Sequence, residues 1–405
     1  MPDMSYLESK PIVVLGAGSV GKAIAADCAL AGAEVRICEL PQFQATLGNM
    51  EQTGLQLYGP QDNLYCFERS GKAKIAMATT DVAKAMKGAG LVVVCSVAAG
   101  HVDFFKAMIP ALEDGMVVHI FPDNYGSLIL RRMMREAGCT KKIVVGGWAS
   151  APYGCRVQMY GGVILPKVAV EYRAVTLRGG ALPTADQEAF IESGKYLGCL
   201  DSIYSGDGPL NADTVLDTGF SNVNPVLHCP GTILGVGTME NWGVLYGTFD
   251  KKDYSIYSHA YCPSIAKIQY AFYEEEVAIA KAVGVGIQEY PKEEFFSRKS
   301  ILGGEFMGKS GFKIPFEEHD YKAMRTGPHT IHNRYITEDI PVGCHVYHLL
   351  GRQYGVITPI IDCMIYLASK MVETDYFKTG YTLEHLGIGK MDQAKLLAYL
   401  HKGDI

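Results

Sequence analysis

A glycine-rich turn near the N-terminus constrains the fold of this 405-residue chain more than any other feature. Pro11–Leu15 is an apolar run rich in β-branched residues, which is typical of a strand buried on both faces. The sequence GAGSVG follows, and small and apolar residues then recur at helical spacing over Lys22–Ala31. A second strand is predicted over Glu34–Cys38. This strand–turn–helix–strand unit predicts a dinucleotide-binding α/β domain.

Each glycine of the turn has its own predicted role. Gly16 allows the tight turn, Gly18 lets the backbone approach a pyrophosphate, and Gly21 lets the helix pack closely on the strand. The phosphates are expected at the start of the helix, where free N–H groups and the helix dipole attract anions. The expected cofactor-binding residues are Gly16, Ala17, Gly18, Ser19, Val20, Gly21, Glu39 and Ser96.

Glu39 indicates which dinucleotide binds. A carboxylate at the end of the second strand accepts hydrogen bonds from the adenosine ribose hydroxyls and repels a 2′-phosphate. The nearest arginine, Arg36, lies inside the strand rather than beyond it. We therefore expect NAD in preference to NADP. The alternative is that Glu39 is only solvated in a loop.

Strands and helices continue to alternate through the first half of the chain. Further strands are predicted over Leu91–Cys95, Met116–Phe121 and Ile143–Gly146, with helices over Val102–Leu112 and Ser127–Ala137. This alternation predicts a parallel, doubly wound sheet, that is, a Rossmann domain of the α/β class. Because ligands bind beyond the carboxyl ends of such strands, three loops are expected at the nicotinamide: Ser96–Gly100, Pro122–Gly126 and Trp148–Tyr153. His101, next to the first loop, is expected to be a solvated cap.

The turn-rich sequence Gly206–Pro209 is the expected domain boundary, after an amphipathic helix around Ala185–Gly198. We expect a Rossmann domain over residues 1–205 and a mostly α-helical substrate-binding domain over residues 206–405 that closes over the nicotinamide. Long helical patterns lie over Pro263–Val283 and Gly343–Lys370. The segment Gln288–Lys313 is either a mobile lid or a plain surface loop.

The second domain must supply the chemistry, because hydride transfer to C=O or C=N needs a proton donor and an anchor for the acid group of the substrate. Asn224 and His228 are four residues apart and share one face of a predicted helix. Histidine changes its charge near neutral pH, which suits a group that gives and takes a proton. The alternative is a structural histidine.

A second cluster lies ahead of an apolar helix. Arg334 could clamp a carboxylate through two parallel hydrogen bonds, and Asp339 could hold a histidine in one tautomer. The alternative is helix capping by Thr337 or Asp339, with Pro341 in the first turn.

Composition and spacing argue against several other classes. The net charge of −6 is spread without a basic run, so neither nucleic acid nor an anionic membrane is an expected partner. The eleven cysteines form no CxxC pair, and the first ten residues do not form a signal peptide, so a cytoplasmic enzyme is expected.

We expect no metal, because no acid or cysteine completes the pairs His329/His332 and His345/His348. Tyr254, Tyr257 and Tyr261 are expected to pack rather than to line a pocket.

These elements together resemble the octopine/nopaline dehydrogenase family over nearly the full length. The matching segments are GAGSVG (16–21), PDNYGS (122–127), PYGCR (152–156), NPVLH (224–228), residues 263–284, RYITEDIPVG (334–343) and GVITP (355–359). NPxxH and RYxxEDxP, in that order behind a Rossmann half, are fairly specific, whereas the glycine motif is not. The resemblance implies a second domain like the C-terminal domain of 6-phosphogluconate dehydrogenase. It also implies NAD(P)H-dependent reductive condensation of an amino acid or amine with an α-keto acid.

The resemblance also assigns roles to residues. His228 would be the acid/base, Asp339 its orienting carboxylate, Arg334 the clamp on the keto acid, and Asn224 a group assisting beside His228. Several family members carry a glutamate in the loop before PY, whereas this chain has Trp148-Ala149-Ser150. We therefore expect a neutral, acidic or small amine, with Ser150 available to a substrate carboxylate.

Three alternatives remain at this point. Dehydrogenases of the glycerol-phosphate, 6-phosphogluconate or ketopantoate kind place a catalytic lysine on the helix that opens the second domain, but Leu210–Gly237 contains no lysine. A 2-hydroxy acid dehydrogenase would use the same His, Arg and Asp without an amine. A non-catalytic NAD sensor would bind the cofactor and turn nothing over. In each case the partners are small molecules, and a homodimer is possible.

Overall fold

The structure, a computed structural model, describes residues 2–59, 69–245, 253–295 and 326–403. It divides into two compact units. One combines the described residues of Met1–Gly219 and Ala398–Ile405, and the other comprises those of Phe220–Leu397. The division lies beyond the predicted boundary at 205/206, because a strand over Gly208–Asn211 still pairs within the first unit.

The described part of the first unit has twelve strands in two sheets. They are β1 (Ile12–Leu15), β2 (Val35–Cys38), β3 (Leu55–Tyr58), β4 (Gly71–Ala73), β5 (Met77–Thr79), β6 (Leu91–Val94), β7 (Val117–Ile120), β8 (Val144–Trp148), β9 (Tyr153–Tyr160), β10 (Val163–Arg173), β11 (Thr176–Ala181) and β12 (Gly208–Asn211).

The larger sheet has the order β12–β11–β8–β7–β6–β1–β2–β5. β1 pairs in parallel with both β2 and β6, so that Ile12 lies opposite Val35 and Leu91. The pairs β6–β7, β7–β8 and β2–β5 are also parallel, and β11 is antiparallel to β8. Every residue of β1, β6 and β7 is buried, which is why these strands are continuous apolar runs. The predicted doubly wound sheet is confirmed, with its switch point at β1.

The smaller sheet, in the order β4–β3–β10–β9, is not anticipated by the sequence analysis. Its hairpin turns at Gly161 and Gly162, whose φ values are +56° and +79°, the left-handed pair of a tight hairpin turn. A buried carboxylate on the first helix joins that helix to this sheet: Asp27 accepts hydrogen bonds from the Tyr153 hydroxyl at 2.5 Å and from Arg173. The loop predicted over Trp148–Tyr153 is therefore shorter, because Trp148 ends β8 and Tyr153 begins β9.

Eight α-helices precede or reach the division between the units in the described chain. They are α1 (Ser19–Leu30), α2 (Met50–Thr53), α3 (Val82–Met86), α4 (His101–Met108), α5 (Gly126–Glu136), α6 (Gln187–Ser193), α7 (Asp201–Tyr204) and α8 (Leu216–Phe220). The predicted helices of this half correspond to α1, α4, α5 and α6.

The second unit is mostly helical, as predicted. The helices that follow in the described part of the chain are α9 (Asn224–Leu234), α10 (Val236–Leu245), α11 (Pro263–Val283), α12 (Lys292–Phe295), α13 (Arg334–Thr337), α14 (His345–Tyr354), α15 (Pro359–Met371), α16 (Tyr376–Thr379) and α17 (Gln393–Lys402). Among its described residues, two turns are π-helical, Ile256–Ala260 and Asp339–Cys344.

The long helix predicted over Gly343–Lys370 is wrong in one respect. It is interrupted between α14 and α15, because Gly355 ends α14 in the left-handed region at φ +79°. Pro359 then begins α15 at a position where a missing N–H costs nothing.

From residue 296 onward, the segment Gln288–Lys313 lies outside the described residues. None of the described helices is long and apolar enough to cross a membrane. The cysteines of the described chain are free thiols.

Candidate functional site

Two glycines show why the turn between β1 and α1 requires residues without a side chain. Gly16 has φ +104°, and a Cβ there would lie 3.1 Å from the carbonyl carbon of Cys95. A Cβ on Gly21 would lie 1.8 Å from the carbonyl oxygen of Gly16, a distance that no side chain tolerates. The turn and the close helix packing therefore both require glycine.

Gly18 differs from its neighbours because the space in front of it is open. Apart from adjacent residues, no described atom lies within 4 Å of where its Cβ would stand. Helix α1 begins at the next residue, Ser19, and in the described structure no side chain caps it. An open approach to the backbone beside uncapped helical N–H groups fits a pyrophosphate.

Glu39 is buried at the end of β2 and holds the turn. Its side chain accepts hydrogen bonds from the N–H of Ala17 at 2.7 Å and from the N–H of Leu40 at 2.8 Å. The residue is 6% exposed, so the alternative of a solvated loop glutamate is wrong. The carboxylate stands beside the glycine turn, where an adenosine ribose is expected.

Lys22 is a functional candidate that the sequence analysis missed. It is fully buried on α1, and its ammonium group donates to the carbonyl oxygens of Ala17 and, at 2.6 Å, of Thr46. Burial lowers the pKa of Lys22 to about 8, and the nearby charge of Glu39 opposes that shift. The available signal was a lysine directly after GAGSVG, in a helix whose other residues are mostly small or apolar.

The loops beyond β6 and β7 carry polar groups at the carboxyl edge of the sheet. The hydroxyl of Ser96 is buried and has no hydrogen-bond partner among the described residues. Asp123 accepts hydrogen bonds from the backbone and hydroxyl of Ser127 at 3.0 and 2.9 Å. Burial raises the pKa of Asp123 to about 6, against the effect of these hydrogen bonds. Asn124 and Tyr125 are both left-handed, with φ values of +42° and +63°.

Two residues near these loops differ in their surroundings. His101 is not the solvated cap that was expected: it is fully buried as the first residue of α4 and stacks on Phe105. Ser150 is half-buried just after β8.

The second unit brings together two residues that lie 111 positions apart. His228 and Asp339 form a hydrogen bond of 2.7 Å between Nδ1 and Oδ2. They are 8% and 7% exposed, so the pair is largely shielded from solvent. The carboxylate fixes the Nδ1–H tautomer and stabilises the imidazolium when it forms. Such a pair can give and take a proton at Nε2.

Two tyrosines complete the surroundings of the imidazole. The hydroxyl of Tyr257 lies 2.9 Å from His228 Nε2, and the ring of Tyr335 stacks on the imidazole with centroids 3.6 Å apart. Neither tyrosine was predicted as a site residue from the sequence: Tyr257 was assigned to packing and Tyr335 was given no role. Tyr261 does pack as expected, donating to the carbonyl of Leu227 at 2.8 Å.

Both hydrogen-bond partners of His228 lie on π-helical turns. Tyr257 lies in Ile256–Ala260, and Asp339 opens Asp339–Cys344. His228 itself lies on α9, four residues after Asn224, which is half-buried at the first position of that helix. π turns are rare and concentrate at functional sites, which supports a catalytic reading of this cluster.

Arg334 begins α13 and forms an ion pair with Glu338, Nη2 to Oε2, at 2.8 Å. Its side chain is 55% exposed, so the guanidinium has a face open to a ligand. The helix is capped by Asn333, whose side chain accepts from the N–H of Tyr335 at 2.8 Å. The helical stretch that follows opens at Asp339 with Glu338 at its N-cap position and no side-chain cap, so the alternative considered from sequence, capping by Thr337 or Asp339, is wrong.

Both members of the pair His345/His348 have protein partners. His345 Nδ1 lies 2.9 Å from the carbonyl oxygen of Tyr381, and His348 Nδ1 lies 2.6 Å from Asp362. Within the described ranges, no group of three or more His, Cys, Asp or Glu residues could hold a metal ion.

Comparison with known proteins gives a family match for the second unit. Residues 211–372 match the sequence model of a family described as NAD/NADP octopine/nopaline dehydrogenase, alpha-helical domain. The opine dehydrogenase of Arthrobacter sp. (strain 1C) is 26% identical over 394 residues, covering 96% of this chain and 98% of that protein. The tauropine dehydrogenase of Arabella iricolor is 25% identical over 337 residues, covering 76% and 78%.

Solved structures share the fold over nearly the whole chain. Octopine dehydrogenase in complex with NADH and L-arginine has a TM-score of 0.66 at 19% identity, covering 98% of this chain and 99% of that one. Yersinopine dehydrogenase has a TM-score of 0.64 at 12% identity, covering 98% of each chain.

Proposed function

We propose that this chain, whose residues 211–372 match the NAD/NADP octopine/nopaline dehydrogenase family model, belongs to that family and condenses an α-keto acid reductively with an amino compound, using NADH. The product is a secondary amine, and the enzyme is an oxidoreductase acting on the CH–NH group. The similar proteins named above are opine and tauropine dehydrogenases, and octopine dehydrogenase structures hold NADH with L-arginine or with pyruvate.

The observation that carries the proposal is the buried His228–Asp339 pair, at 2.7 Å, within the matched segment. Condensation requires an acid to protonate the hydroxyl that leaves the carbinolamine as water. Asp339 keeps the proton of neutral His228 on Nδ1, so Nε2 is the atom that takes up a proton and passes it on. The resulting iminium ion accepts hydride at carbon to give the secondary amine.

Arg334 is proposed as the clamp for the keto-acid carboxylate. Its pair with Glu338 occupies Nη2, and the exposed remainder of the guanidinium can still donate to a carboxylate. The charge that remains after this pairing is small, because one glutamate already neutralises the group. Arg334 would therefore hold the carboxylate through directed hydrogen bonds more than through a net positive charge.

The amine partner is proposed to be neutral, acidic or small. Trp148 and Ala149 are buried and Ser150 is half-buried, so this loop offers a hydroxyl and no carboxylate. Asp123 is only 2% exposed and already accepts hydrogen bonds from Ser127. Neither group favours a guanidinium or ammonium side chain. L-Arginine as the best amine by a wide margin would contradict this proposal.

The cofactor is NAD, whose reduced nicotinamide supplies the hydride. Gly16, Gly18 and Gly21 would hold the pyrophosphate, with Ala17, Ser19, Val20 and Ser96 around it and Glu39 at the adenosine ribose. The open space at Gly18 and the buried, unpartnered hydroxyl of Ser96 are the observations that support this fit among the described residues.

The first test is NADH oxidation with pyruvate and other α-keto acids, with and without a panel of amines and amino acids. Oxidation that depends on the amine, with a secondary amine identified by mass spectrometry, supports the proposal. Oxidation with the keto acid alone would instead indicate a 2-hydroxy acid dehydrogenase. NADH binding without turnover of any pair would indicate a sensor.

A variant pair tests the role of the histidine. His228→Ala should lower kcat by about 10²–10⁴-fold and leave NADH affinity unchanged. His348→Ala is the matched control, because His348 also pairs with a carboxylate, Asp362 at 2.6 Å, in the same unit. Equal losses in both variants would show that the effect of His228→Ala is structural.

A further inference from the structure

Both nitrogens of the His228 imidazole are occupied by protein. Nδ1 is bonded to Asp339 at 2.7 Å, and Nε2 lies 2.9 Å from the hydroxyl of Tyr257. A histidine that contacted its substrate directly would need Nε2 free. The proton that leaves His228 therefore meets the Tyr257 oxygen first.

We propose that Tyr257 is the terminal proton donor of the reaction and relays the proton of His228 to the substrate. This inference rests on the proposed function, since it assigns a further catalytic residue to that reaction. Tyr257 is suited to the role because a phenol hydroxyl donates one hydrogen bond while it accepts another.

The proposed proton transfer conserves atoms and charge and forms no phenolate at Tyr257. The Tyr257 O–H bond breaks as its proton passes to the carbinolamine hydroxyl, whose C–O bond breaks to release water. At the same time the N–H bond at Nε2 of the imidazolium breaks, and that proton restores the Tyr257 hydroxyl. The iminium ion remains on the substrate, His228 returns to its neutral form, and the charge moves from imidazolium to iminium.

The surroundings of Tyr257 hold it in this position. It is 7% exposed and lies on the π turn Ile256–Ala260, with the Tyr261 ring edge-on to its own at 5.6 Å. Its oxygen is also 3.5 Å from the hydroxyl of Tyr335, whose ring covers the imidazole. Asp339, His228 and Tyr257 form a hydrogen-bonded line that ends at the Tyr257 hydroxyl, with Tyr335 beside it. A proton moving along it is shielded from water.

A purely structural role for Tyr257 predicts different behaviour. If the hydroxyl only orients the imidazole, its removal alters the position of His228 but leaves a single proton in flight in the transition state. If it relays, two protons move together. The dependence of rate on the fraction of heavy water separates these cases, because it is curved for two moving protons and linear for one.

The experiment measures kcat/KM for the keto acid in mixtures of light and heavy water, with Tyr257→Phe beside the unmodified enzyme. The relay predicts a curved dependence in the unmodified enzyme, and in Tyr257→Phe a linear one with a rate lower by about 10²-fold. NADH affinity should not change. Tyr261→Phe is the matched control, since it also removes a buried tyrosine hydroxyl, bonded to Leu227 at 2.8 Å, and should keep the curvature.

A linear dependence in the unmodified enzyme would overturn the relay, as would a Tyr257→Phe variant that keeps its rate or its curvature. Circular dichroism and NADH binding establish that each variant is folded. An unmodified enzyme that turns over no keto acid with any amine would overturn the proposed function itself. An active enzyme with an unaffected Tyr257→Phe variant would overturn only the relay.

Discussion

The ring of Tyr335 lies parallel to the imidazole of His228, with centroids 3.6 Å apart and an interplanar angle of 12°. Tyr335 directly follows Arg334, the proposed clamp. One short helix, α13, therefore supplies both the proposed clamp and the ring that covers the imidazole of His228. A phenol ring stacked on a histidine limits the rotation of the imidazole.

Loss of this stack should slow the reaction measurably. Aromatic pairs contribute about 0.5–1.5 kcal/mol, and about 1.36 kcal/mol corresponds to a tenfold change in rate. Tyr335→Leu should therefore lower kcat by up to about tenfold, whereas Tyr335→Phe keeps the ring and should lose much less. Steady-state kinetics on both variants check this. A Tyr335→Leu enzyme with unchanged kcat would show that the stack has no catalytic effect.

Removal of the clamp should weaken keto-acid binding. Hydrogen bonds to charged groups contribute about 1.5–3 kcal/mol, so Arg334→Ala should raise the KM for the keto acid by about 10–100-fold. Glu338→Gln is the control, because it removes the partner at 2.8 Å and leaves the guanidinium in place. Its KM should equal or fall below that of the unmodified enzyme. An unaltered KM in Arg334→Ala would exclude Arg334 from keto-acid binding.

Two glycines of the turn should separate cofactor binding from folding. Gly18→Val places a side chain in open space, so it should weaken NADH binding strongly while thermal stability changes little. Gly21→Ala forces a Cβ against the carbonyl oxygen of Gly16, at 1.8 Å in the present backbone, so it should lower the melting temperature. Fluorescence titration with NADH and thermal denaturation measure the two effects. A Gly18→Val protein that binds NADH normally would contradict the location of the pyrophosphate.

Because of Lys22, the free energy of unfolding of the protein should increase with pH in the alkaline range. Its pKa falls from 10.5 to about 8 on folding, chiefly through burial, with Glu39 opposing the shift. Between these two values the unfolded chain binds more protons, so the free energy of unfolding increases with pH. Below pH 8, Lys22 is charged in the folded protein, and burial of that charge lowers the free energy of unfolding by its full amount. The contribution gained across the window is on the order of 3 kcal/mol.

The test compares urea denaturation of Lys22→Met and the unmodified protein between pH 8 and 10.5. The variant should lack this rise. It should also bind NADH less tightly, because the carbonyl oxygens of Ala17 and Thr46 lose their common donor. Lys106→Met, an exposed lysine on α4, serves as control and should keep the rise. Identical pH profiles for Lys22→Met and the unmodified protein would contradict the shifted pKa.

The Rossmann sheet was predictable because its information is local. Continuous apolar runs such as Leu91–Val94 and the glycine turn define strands, helices and their order within a few residues. The second sheet was not, since β3 and β10 pair Gln56 with Lys167, across more than a hundred residues. A strand partner at that separation leaves no periodic signal in either segment.

The site was predictable in part for the same reason. The helical spacing of Asn224 and His228 and the acids after Arg334 mark candidate residues, but no local pattern joins His228 to a partner 111 positions away. Tyr257 was assigned to packing together with Tyr254 and Tyr261, and those two neighbours do pack. What distinguishes it is the direction of its hydroxyl, which the π turn sets and side-chain chemistry alone does not reveal.

The π turn Asp339–Cys344 runs directly into α14, which begins at His345. Such a turn winds one more residue than an α-helix does over the same bond, so it is equivalent to a single inserted amino acid. Deleting one residue between Ile340 and Cys344 would restore regular winding and rotate Asp339 by about 100° relative to α14. The pairing of Asp339 with His228 therefore depends on the number of residues in this segment as much as on the aspartate itself. A relative with a one-residue gap here would keep every named side chain and still lack the pair.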